Sequence, residues 1–550
     1  MSLTASGRRA PRGEAAGGDV SAGGSGRRAS QGEGCWTGAS GRRAGEGYCG
    51  TAVEPVPAPP GKPSARPRWL RPAGPGPRGW ALRGGGASSY VEAVPEWRGT
   101  TVQVCGLWPF IAGSGTPMVG VPVGRHLFSH ATVCSDPVSW FTRARLVSNP
   151  GVVVLGLPGL GKSSLVRRMA TGLAAYGVLP VVFGDLKPDY ADLIRALGGS
   201  VVRLGRGEGK LNVLDPGAAA GAAGKLAGRA REKLLADAAG RRLNVVSGLI
   251  ELNRGRPVGD VESLVLDTAM RALDEQTSPG EATLWHLVRL LDSGSPELTD
   301  VTLSRGDEAA YRSAVGPLLG SVMALTRGAL GETFSGRTTV ELDLSRPLCV
   351  DISGIPETDM KLQAAVLLAC WAEGFAGIEA AQALSEAGLG PEVHRFVVID
   401  ELWRVLQASK GMVARVDALT RLNRTRGVGQ ALVTHTLSDM LSLADEDDRQ
   451  RAVGFAERAG YMVLGGLPAR EIPMLSQVVQ LSRAEANLLS AWSAPASWDQ
   501  KSGAEEKPPG LGKFIIKVGG RPGVPVEVEL TPSELALHDT NARWREAMRR

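Results

Sequence analysis

The residues of this 550-residue chain that could do chemistry begin with a glycine-rich run that ends in lysine and two serines. The run fits the pattern G-x-x-x-x-G-K-[ST] and consists of Gly156, Leu157, Pro158, Gly159, Leu160, Gly161, Lys162, Ser163 and Ser164. Glycines let consecutive backbone N–H groups turn toward a phosphate, and a following helix N-terminus adds partial positive charge. Lys162 would reach the β- and γ-phosphates, and the Ser163 hydroxyl would bind Mg²⁺. The run therefore predicts a site for a nucleoside triphosphate.

A second pair of residues could supply the groups that hydrolysis needs. The apolar run 396–399 has the length of a buried strand and ends in Asp400 and Glu401. Open α/β sheets bind ligands at the carboxyl ends of their strands, which is where these two acids would lie. We expect Asp400 to hold the Mg²⁺ shell and Glu401 to polarise the attacking water. Without the glycine loop, two acids at an ordinary strand end would be the preferred interpretation.

The elements around these residues predict the α/β class with a mostly parallel sheet. Residues 151–155 before the glycine run resemble a buried strand, and 165–176 after it have helical spacing. Strands alternating with helices give right-handed crossovers and a parallel sheet. Within the core we expect a strand over 340–344 and a helix over 360–375. An antiparallel hairpin over 513–530 should lie at the sheet edge, and a helix should start near Thr540.

Changes in amino-acid composition divide the chain into segments. Long stretches rich in alanine, leucine, arginine and glutamate interrupt the strand pattern and predict a helical insertion. The expected organisation is a disordered Gly/Arg/Pro-rich segment over 1–95, the remnant of a β-rich region over 96–150, an α/β core over 151–216 and 336–550, and an all-α insertion over 217–335.

The positive charge of the chain is concentrated at its N-terminus. Residues 1–90 hold 13 basic and 5 acidic side chains, an excess of eight, whereas the whole chain has a formal net charge of +6, so 91–550 carry −2. The folded part therefore gives no support to a DNA-binding core from net charge. The basic segment repeats Ser-Gly-Arg-Arg-Ala three times. It is either an arm for anionic lipid or nucleic acid, or a spacer without selected function.

The cysteines and the apolar segments favour a soluble intracellular protein. The six cysteines form no C-x-x-C pair, which indicates buried free thiols in a reducing compartment. No stretch reaches the roughly eighteen apolar residues of a membrane span, and 364–372 has the length of a core helix instead. An apolar secretory segment is missing at the N-terminus. We therefore expect no transmembrane span.

Three polar features near the predicted acids have alternative interpretations. His435, with Thr434, would end the next strand, where it could sense the γ-phosphate or simply cap a helix. Arg421 and Arg424 could include an arginine that acts on the nucleotide of a neighbouring subunit, or they could serve helix ends and solubility. The turn 184–190 could face the nucleotide or a subunit interface, or be a surface turn.

Five stretches together resemble the HerA/FtsK-type hexameric ATPases, in particular the VirB/TraC-type assembly ATPases of conjugative transfer and type IV secretion. They are the glycine loop; the turn Asp185-Leu186-Lys187-Pro188-Asp189-Tyr190 with Gly198-Gly199 and Leu211-Asn212; Val398-Ile399-Asp400-Glu401-Leu402-Trp403; the Arg421/Arg424 run with Val433-Thr434-His435; and Leu481-Ser482-Arg483-Ala484-Glu485 with Thr540-Asn541-Ala542-Arg543-Trp544.

The resemblance implies a RecA-like P-loop NTPase core, ATP and Mg²⁺ as cofactors, and assembly into a homo-hexamer. It further implies ATP hydrolysis that energises secretion or DNA transfer, with membrane-embedded complex subunits as partners and DNA or protein as the substrate moved. The location would be cytoplasmic, at the inner face of the cell membrane. The chain departs from the family where His435 replaces the usual glutamine, and where residues 1–90 replace a folded N-terminal domain.

Two other functions are compatible with these residues. A DNA translocase or coupling protein of the same superfamily would need a basic pore loop and usually a membrane anchor, and the near-neutral core counts against it. A nucleotide-gated structural subunit would bind ATP without useful turnover. The presence of Glu401 counts against that alternative, because a site that only binds has no need of a base.

Overall fold

Short runs of valine, leucine and isoleucine form the strands of the core, because branched side chains pack well on a buried pleated surface. The computed structural model describes residues 118–408, 413–414, 416–417, 427–443, 445–499, 504–505 and 507–537. All of them belong to one compact unit that spans Gly99–Arg550. The predicted disordered segment, 1–95, lies outside the described residues, as does the helix predicted to start near Thr540.

The described strands fall into one large sheet and one short pair. They are β1 (Pro122–His126), β2 (Thr132–Cys134), β3 (Gly151–Leu155), β4 (Leu179–Asp185), β5 (Ser200–Arg203), β6 (Leu348–Asp351), β7 (Arg395–Ile399), β8 (Val428–Thr434), β9 (Tyr461–Leu464), β10 (Trp498–Asp499), β11 (Ala504–Glu505), β12 (Lys513–Lys517) and β13 (Val524–Val528). The pair is β10 with β11.

The large sheet has eleven strands in the order β2-β1-β13-β12-β9-β3-β8-β7-β4-β6-β5. Every neighbouring pair from β9 to β5 is parallel. The strands β12, β13, β1 and β2 continue the sheet in antiparallel pairs. The predicted α/β class with a mostly parallel sheet is therefore confirmed. The topology places β8 between β3 and β7, so the glycine loop and the two acids emerge two strands apart at one edge.

The helices cover the sheet and form a separate group between β5 and β6. They are α1 (Pro137–Thr142), α2 (Lys162–Ala175), α3 (Ala191–Ala196), α4 (Ala218–Ala223), α5 (Gly228–Arg254), α6 (Asp260–Gln276), α7 (Leu284–Ser293), α8 (Pro296–Val301), α9 (Glu308–Leu325), α10 (Gly328–Phe334), α11 (Met360–Glu386), α12 (Leu402–Ala408), α13 (Leu437–Leu441), α14 (Glu446–Arg458), α15 (Ile472–Val478), α16 (Arg483–Trp492) and α17 (Pro532–Leu537). Every regular element described from α4 to α10 is helical, as an all-α insertion requires.

The long helix α11 links the helical group to the sheet. It packs against β4 as well as α4 and α5, and its Trp371 indole donates a 2.7 Å hydrogen bond to the Phe183 carbonyl. Among the described residues it is the one helix that is long and apolar enough to cross a membrane, and 83% of its most apolar window is buried in the protein. The helices α9 and α10 meet the same criteria of length and hydropathy only as a pair, across a 76° bend.

Close packing between α11 and β4 depends on a glycine. A Cβ atom on Gly374 would lie 2.0 Å from the Phe183 ring, which is fully buried. We expect Gly374→Ala to lower the free energy of unfolding by about 1–3 kcal/mol, the usual cost of overpacking a core. Gly240→Ala is the control, because Gly240 lies in α5 with open space around its Cα, and it should stabilise the helix by up to ~1 kcal/mol. Urea unfolding of both variants measures the difference, and equal effects would contradict the packing argument.

The segment 340–344, predicted as a strand, is irregular instead. Just before it, the Thr339 hydroxyl and the Thr339 backbone N–H both bond to the backbone of Lys210. At its end, the buried Arg395 guanidinium donates to the Leu344 carbonyl through two nitrogens, at 3.3 and 3.2 Å. The Leu344 carbonyl is thus satisfied by a side chain rather than by a neighbouring strand.

Two other element predictions need correction. The hairpin of β12 and β13 does not lie at the sheet edge, because β13 pairs with β1 and β2 lies outermost. The prediction missed this because β1 joins from a region far earlier in the chain. The helix expected over 360–375 continues to Glu386, since its second half is also apolar and lies against the helical group.

Candidate nucleotide site

The glycine loop connects β3 to α2 and is shaped by residues in left-handed backbone conformations. Gly159 and Gly161 have φ angles of +78° and +94°, which favour glycine because any Cβ would be strained. Pro158 and Gly159 are exposed. Leu160 is buried, and its carbonyl accepts a 3.0 Å hydrogen bond from the Gly512 backbone N–H. One side of the loop is therefore open, and the other rests on the segment before β12.

The first residues of the loop are fixed to the two strands beside β3. The Gly156 N–H donates to the His435 carbonyl at 2.9 Å, just after β8. The Leu157 N–H donates to the Gly466 carbonyl at 3.0 Å, just after β9. At the other end of the loop, Ser163 and Ser164 lie partly buried in the first turn of α2. The loop is thus held at its start and along one flank.

The Lys162 side chain lies beneath this loop. Its amine donates to the carbonyl oxygens of Gly156 and Leu157, at 2.6 and 3.1 Å, and lies 3.1 Å from Nδ1 of His435. Burial lowers the pKa of Lys162 to about 8, although the acids that follow β7 favour its charged form. A buried ammonium without a paired carboxylate is costly, so this position suits a ligand that brings negative charge.

The end of β8 lies between the loop and the acids. Thr434 pairs with Leu155 across the sheet, and its buried Oγ1 has no hydrogen-bond partner among the described residues. His435 follows Thr434 and contacts both Lys162 of the loop and Glu401. An ammonium group has no lone pair, so Nδ1 of His435 must accept the bond from Lys162. Its Nε2 then carries the proton and donates to Oε2 of Glu401 at 3.3 Å.

Asp400 follows β7 and is held by two donors. Its Oδ2 accepts a 3.0 Å hydrogen bond from the Tyr190 hydroxyl, and its Oδ1 accepts the Glu401 backbone N–H at 2.8 Å. Burial raises the pKa of Asp400 to about 6, and the negative charge of Glu401 acts in the same direction. A carboxylate destabilised in this way gains most from a cation bound beside it.

Glu401 has the most crowded carboxylate of the site. Oε1 lies 3.2 Å from the Lys187 amine, and Oε2 accepts from the indole of Trp403 at 2.5 Å as well as from His435. Burial raises the pKa of Glu401, but the bonds from His435 and Trp403 and the charge of Lys187 outweigh it and lower the pKa. The backbone of Glu401 has a φ angle of +52°, a left-handed conformation that is strained in residues other than glycine.

These groups fit a triphosphate with its magnesium ion. The Thr434 hydroxyl, which has no partner in the described part of the chain, the Lys162 ammonium and the open glycine loop would take the phosphates. Ser163 and Asp400 would hold Mg²⁺. The described residues contain no group of three or more His, Cys, Asp or Glu side chains that could hold a metal. Mg²⁺ is usually bound through one or two carboxylates plus substrate phosphates, so the Asp400 carboxylate and the Ser163 hydroxyl are a sufficient set of protein ligands.

The structure brings three of the predicted site residues into direct contact. Lys162, His435 and Glu401 form a continuous chain of hydrogen bonds across the ends of β3, β8 and β7. Asp400 joins this chain through the backbone of Glu401. The predicted arginines Arg421 and Arg424 lie outside the described residues, and the roles of all these residues remain predictions.

Sequence reasoning missed the partners of the two acids. Lys187 and Tyr190 belong to the turn after β4, whose direction the sequence left open, and each contacts one acid. Trp403 was quoted only as part of the resemblance, but its indole contacts Glu401. The contacts depend on the order of strands, which the sequence does not give: β4 is the neighbour of β7. Side chains that follow both strands meet at one edge.

Comparison with known proteins agrees with the fold. No family model matches the chain, and no curated protein sequence matches it. Among solved structures, VirB4 of Thermoanaerobacter pseudethanolicus superposes with a TM-score of 0.55 at 17% identity, covering 77% of this chain and all of that one. The chain has the fold of VirB4.

Two further solved structures are more distant from the chain. The plasmid coupling protein TrwB in complex with ADP and Mg²⁺ is 13% identical, with a TM-score of 0.40 over 70% of this chain and 85% of that one. The cytoplasmic domain of the type VII secretion ATPase EccC of Thermomonospora curvata is 14% identical, with a TM-score of 0.29 over 74% and 28%. The VirB4 fold is the one that the resemblance of the sequence predicted.

Proposed function

We propose that this chain is a Mg²⁺-dependent ATPase. The observation that supports the proposal most is the contact chain from Lys162 through His435 to Glu401, at the carboxyl ends of three adjacent parallel strands. Open α/β sheets bind ligands at that edge. The chain thus combines a phosphate loop with a carboxylate of the kind that can accept a proton from water.

Each residue has a distinct task in this proposal. The Lys162 amine binds oxygens of the β- and γ-phosphates, replacing part of its contact with the loop carbonyls. Ser163 and Asp400 hold Mg²⁺, which neutralises phosphate charge when it is bound. Glu401 orients the attacking water and accepts its proton on a carboxylate oxygen. His435 holds its Nε2 proton toward Glu401 and keeps Lys162 and Glu401 in one network.

We further propose that hydrolysis drives a conjugative-transfer or type IV secretion-like system. The VirB4 fold and the motifs that resemble its family support this assignment. In this proposal the chain assembles into a homo-hexamer at the inner face of the cell membrane, where membrane-embedded subunits dock and DNA or protein is moved. Arg421 or Arg424 would act on the nucleotide of the neighbouring subunit.

The test uses the purified full chain with Mg²⁺ and ATP. We expect steady phosphate release that stops when the metal is chelated, and a change in oligomeric state when nucleotide is added. The same assay with single- and double-stranded DNA separates the two motor functions. A strong stimulation by DNA would favour a translocase, whereas a secretion ATPase should respond weakly. A hexamer that binds ATP but releases no phosphate would overturn the proposed activity and favour the structural subunit.

A further inference from the structure

The turn between β4 and α3 reaches the catalytic edge because β4 is the neighbour of β7. The Asp185 carboxylate fixes the turn by accepting three backbone N–H bonds. They come from Asp189 at 3.2 Å, Tyr190 at 2.8 Å and Ala191 at 3.2 Å. A turn that is bonded three times to one buried side chain holds its own side chains in defined directions.

Two side chains of this turn reach the two acids. The hydroxyl of Tyr190, which is buried, donates to Asp400, and the Lys187 amine lies 3.2 Å from Oε1 of Glu401. The Lys187 side chain is 52% exposed, whereas that of Glu401 is 9% exposed. The tyrosine is therefore the fixed end of the turn, and the lysine can exchange its carboxylate for solvent at low cost.

We propose that Lys187 is a positioning residue that restrains the Glu401 carboxylate until the ammonium moves away from Oε1. This inference rests on the proposed ATPase function. In the described arrangement the ammonium is bonded to Oε1, while Trp403 and His435 occupy Oε2. Because Trp403 and His435 engage both lone pairs of Oε2, the attacking water has to bond to Oε1, where Lys187 already takes one of the two lone pairs. Oε1 becomes fully open to water when Lys187 swings into solvent or toward another anion.

The backbone of Glu401 is consistent with a restrained state. A left-handed conformation in a residue with a side chain is unfavourable, and it persists only where surrounding contacts impose it. Lys187 provides the contact that is most exposed and easiest to break, since His435 and Trp403 are more deeply placed. Removing Lys187 should therefore release the base and leave its other two partners in place.

The experiment measures steady-state ATP hydrolysis by the full chain and by Lys187→Met, with Lys187→Arg to restore the charge. An ion pair of this exposure corresponds to at most about fivefold in rate, so we expect kcat to rise about threefold to fivefold in Lys187→Met. KM for ATP should stay within about twofold, and Lys187→Arg should return kcat toward the parent value. Lys225→Met, at an exposed lysine in the helical group, is the matched control.

Whether Lys187→Met changes kcat or KM distinguishes restraint of Glu401 from other roles of Lys187. A raised KM with unchanged kcat would mean that Lys187 binds the nucleotide, and a lowered kcat would mean that it supports the productive state. Either result overturns the proposal. A purely structural lysine would change the unfolding midpoint but not kcat, and that result overturns it as well.

A second measurement tests the contact without hydrolysis. A double-mutant cycle of Lys187→Met and Glu401→Gln on urea unfolding of the nucleotide-free protein should show coupling of about threefold in the unfolding equilibrium constant. If the parent releases no phosphate, the proposed function fails and the restraint fails with it. If the parent hydrolyses ATP but the cycle shows no coupling, only the restraint is overturned.

Discussion

Glu401→Gln should bind ATP with parental affinity and release phosphate about a hundredfold to ten-thousandfold more slowly. That range is the usual contribution of a positioned general base. The amide has nearly the shape of the carboxylate, so its oxygen can keep the bonds from Trp403 and His435 that now reach Oε2, whereas its NH2 group cannot accept the bond from Lys187. It cannot take a proton from water. Single-turnover hydrolysis together with equilibrium binding of a fluorescent ATP analogue measures the two effects separately.

The control for this variant is Glu297→Gln, which makes the same chemical change at an exposed position in α8. It should hydrolyse ATP at the parent rate. If Glu401→Gln also retains the parent rate, another group is the base and the assigned role of Glu401 is wrong. If Glu401→Gln loses nucleotide binding as well, the residue supports the architecture of the site rather than the proton transfer.

Lys162→Ala should weaken binding of Mg²⁺-ATP about tenfold to a hundredfold. A hydrogen bond to a charged group contributes about 1.5–3 kcal/mol, and that range corresponds to this loss. The variant also removes a buried ammonium whose pKa is already lowered to about 8 by burial. We therefore expect the nucleotide-free protein to remain folded, with an unfolding midpoint close to that of the parent. Isothermal titration and thermal unfolding, each with and without nucleotide, measure both quantities.

The contrast between the two conditions makes this prediction specific. At the same ATP concentration, the rise in unfolding temperature should be smaller for Lys162→Ala than for the parent, because a ligand stabilises the state that binds it according to its affinity. Lys225→Ala should behave as the parent in both conditions. Equal stabilisation of Lys162→Ala and the parent by ATP would remove the glycine loop from the binding mechanism.

The parallel core was predictable because its strands are short apolar runs with clear ends. The runs that became β3 and β7 were recognised within one residue, since polar or glycine positions follow both. The segment 340–344 shows the limit of such patterns. Its alternation of polar and apolar residues resembles a strand, but whether a strand forms depends on a partner ladder. Here no strand forms over 340–344, and the Leu344 carbonyl bonds to the Arg395 side chain instead.

The site was predictable as two motifs but not as a network. Local spacing identifies the loop and the two acids, because their chemistry lies in consecutive residues. The contact of His435 with Lys162 and Glu401 depends on strand order, which sequence spacing alone does not give. The direction of Lys187 depends on the turn that Asp185 holds, and that is a matter of tertiary structure.

The supports of the glycine loop have a consequence for how the protein matures. The backbone of Leu157 is bonded to Gly466, and that of Leu160 to Gly512, both far later in the chain. A polypeptide still on the ribosome therefore carries the glycines of the proposed phosphate loop before the residues that hold them in shape have been synthesised. Capture of nucleotide becomes possible only late in synthesis, and fragments that end before Gly466 should fail to retain it.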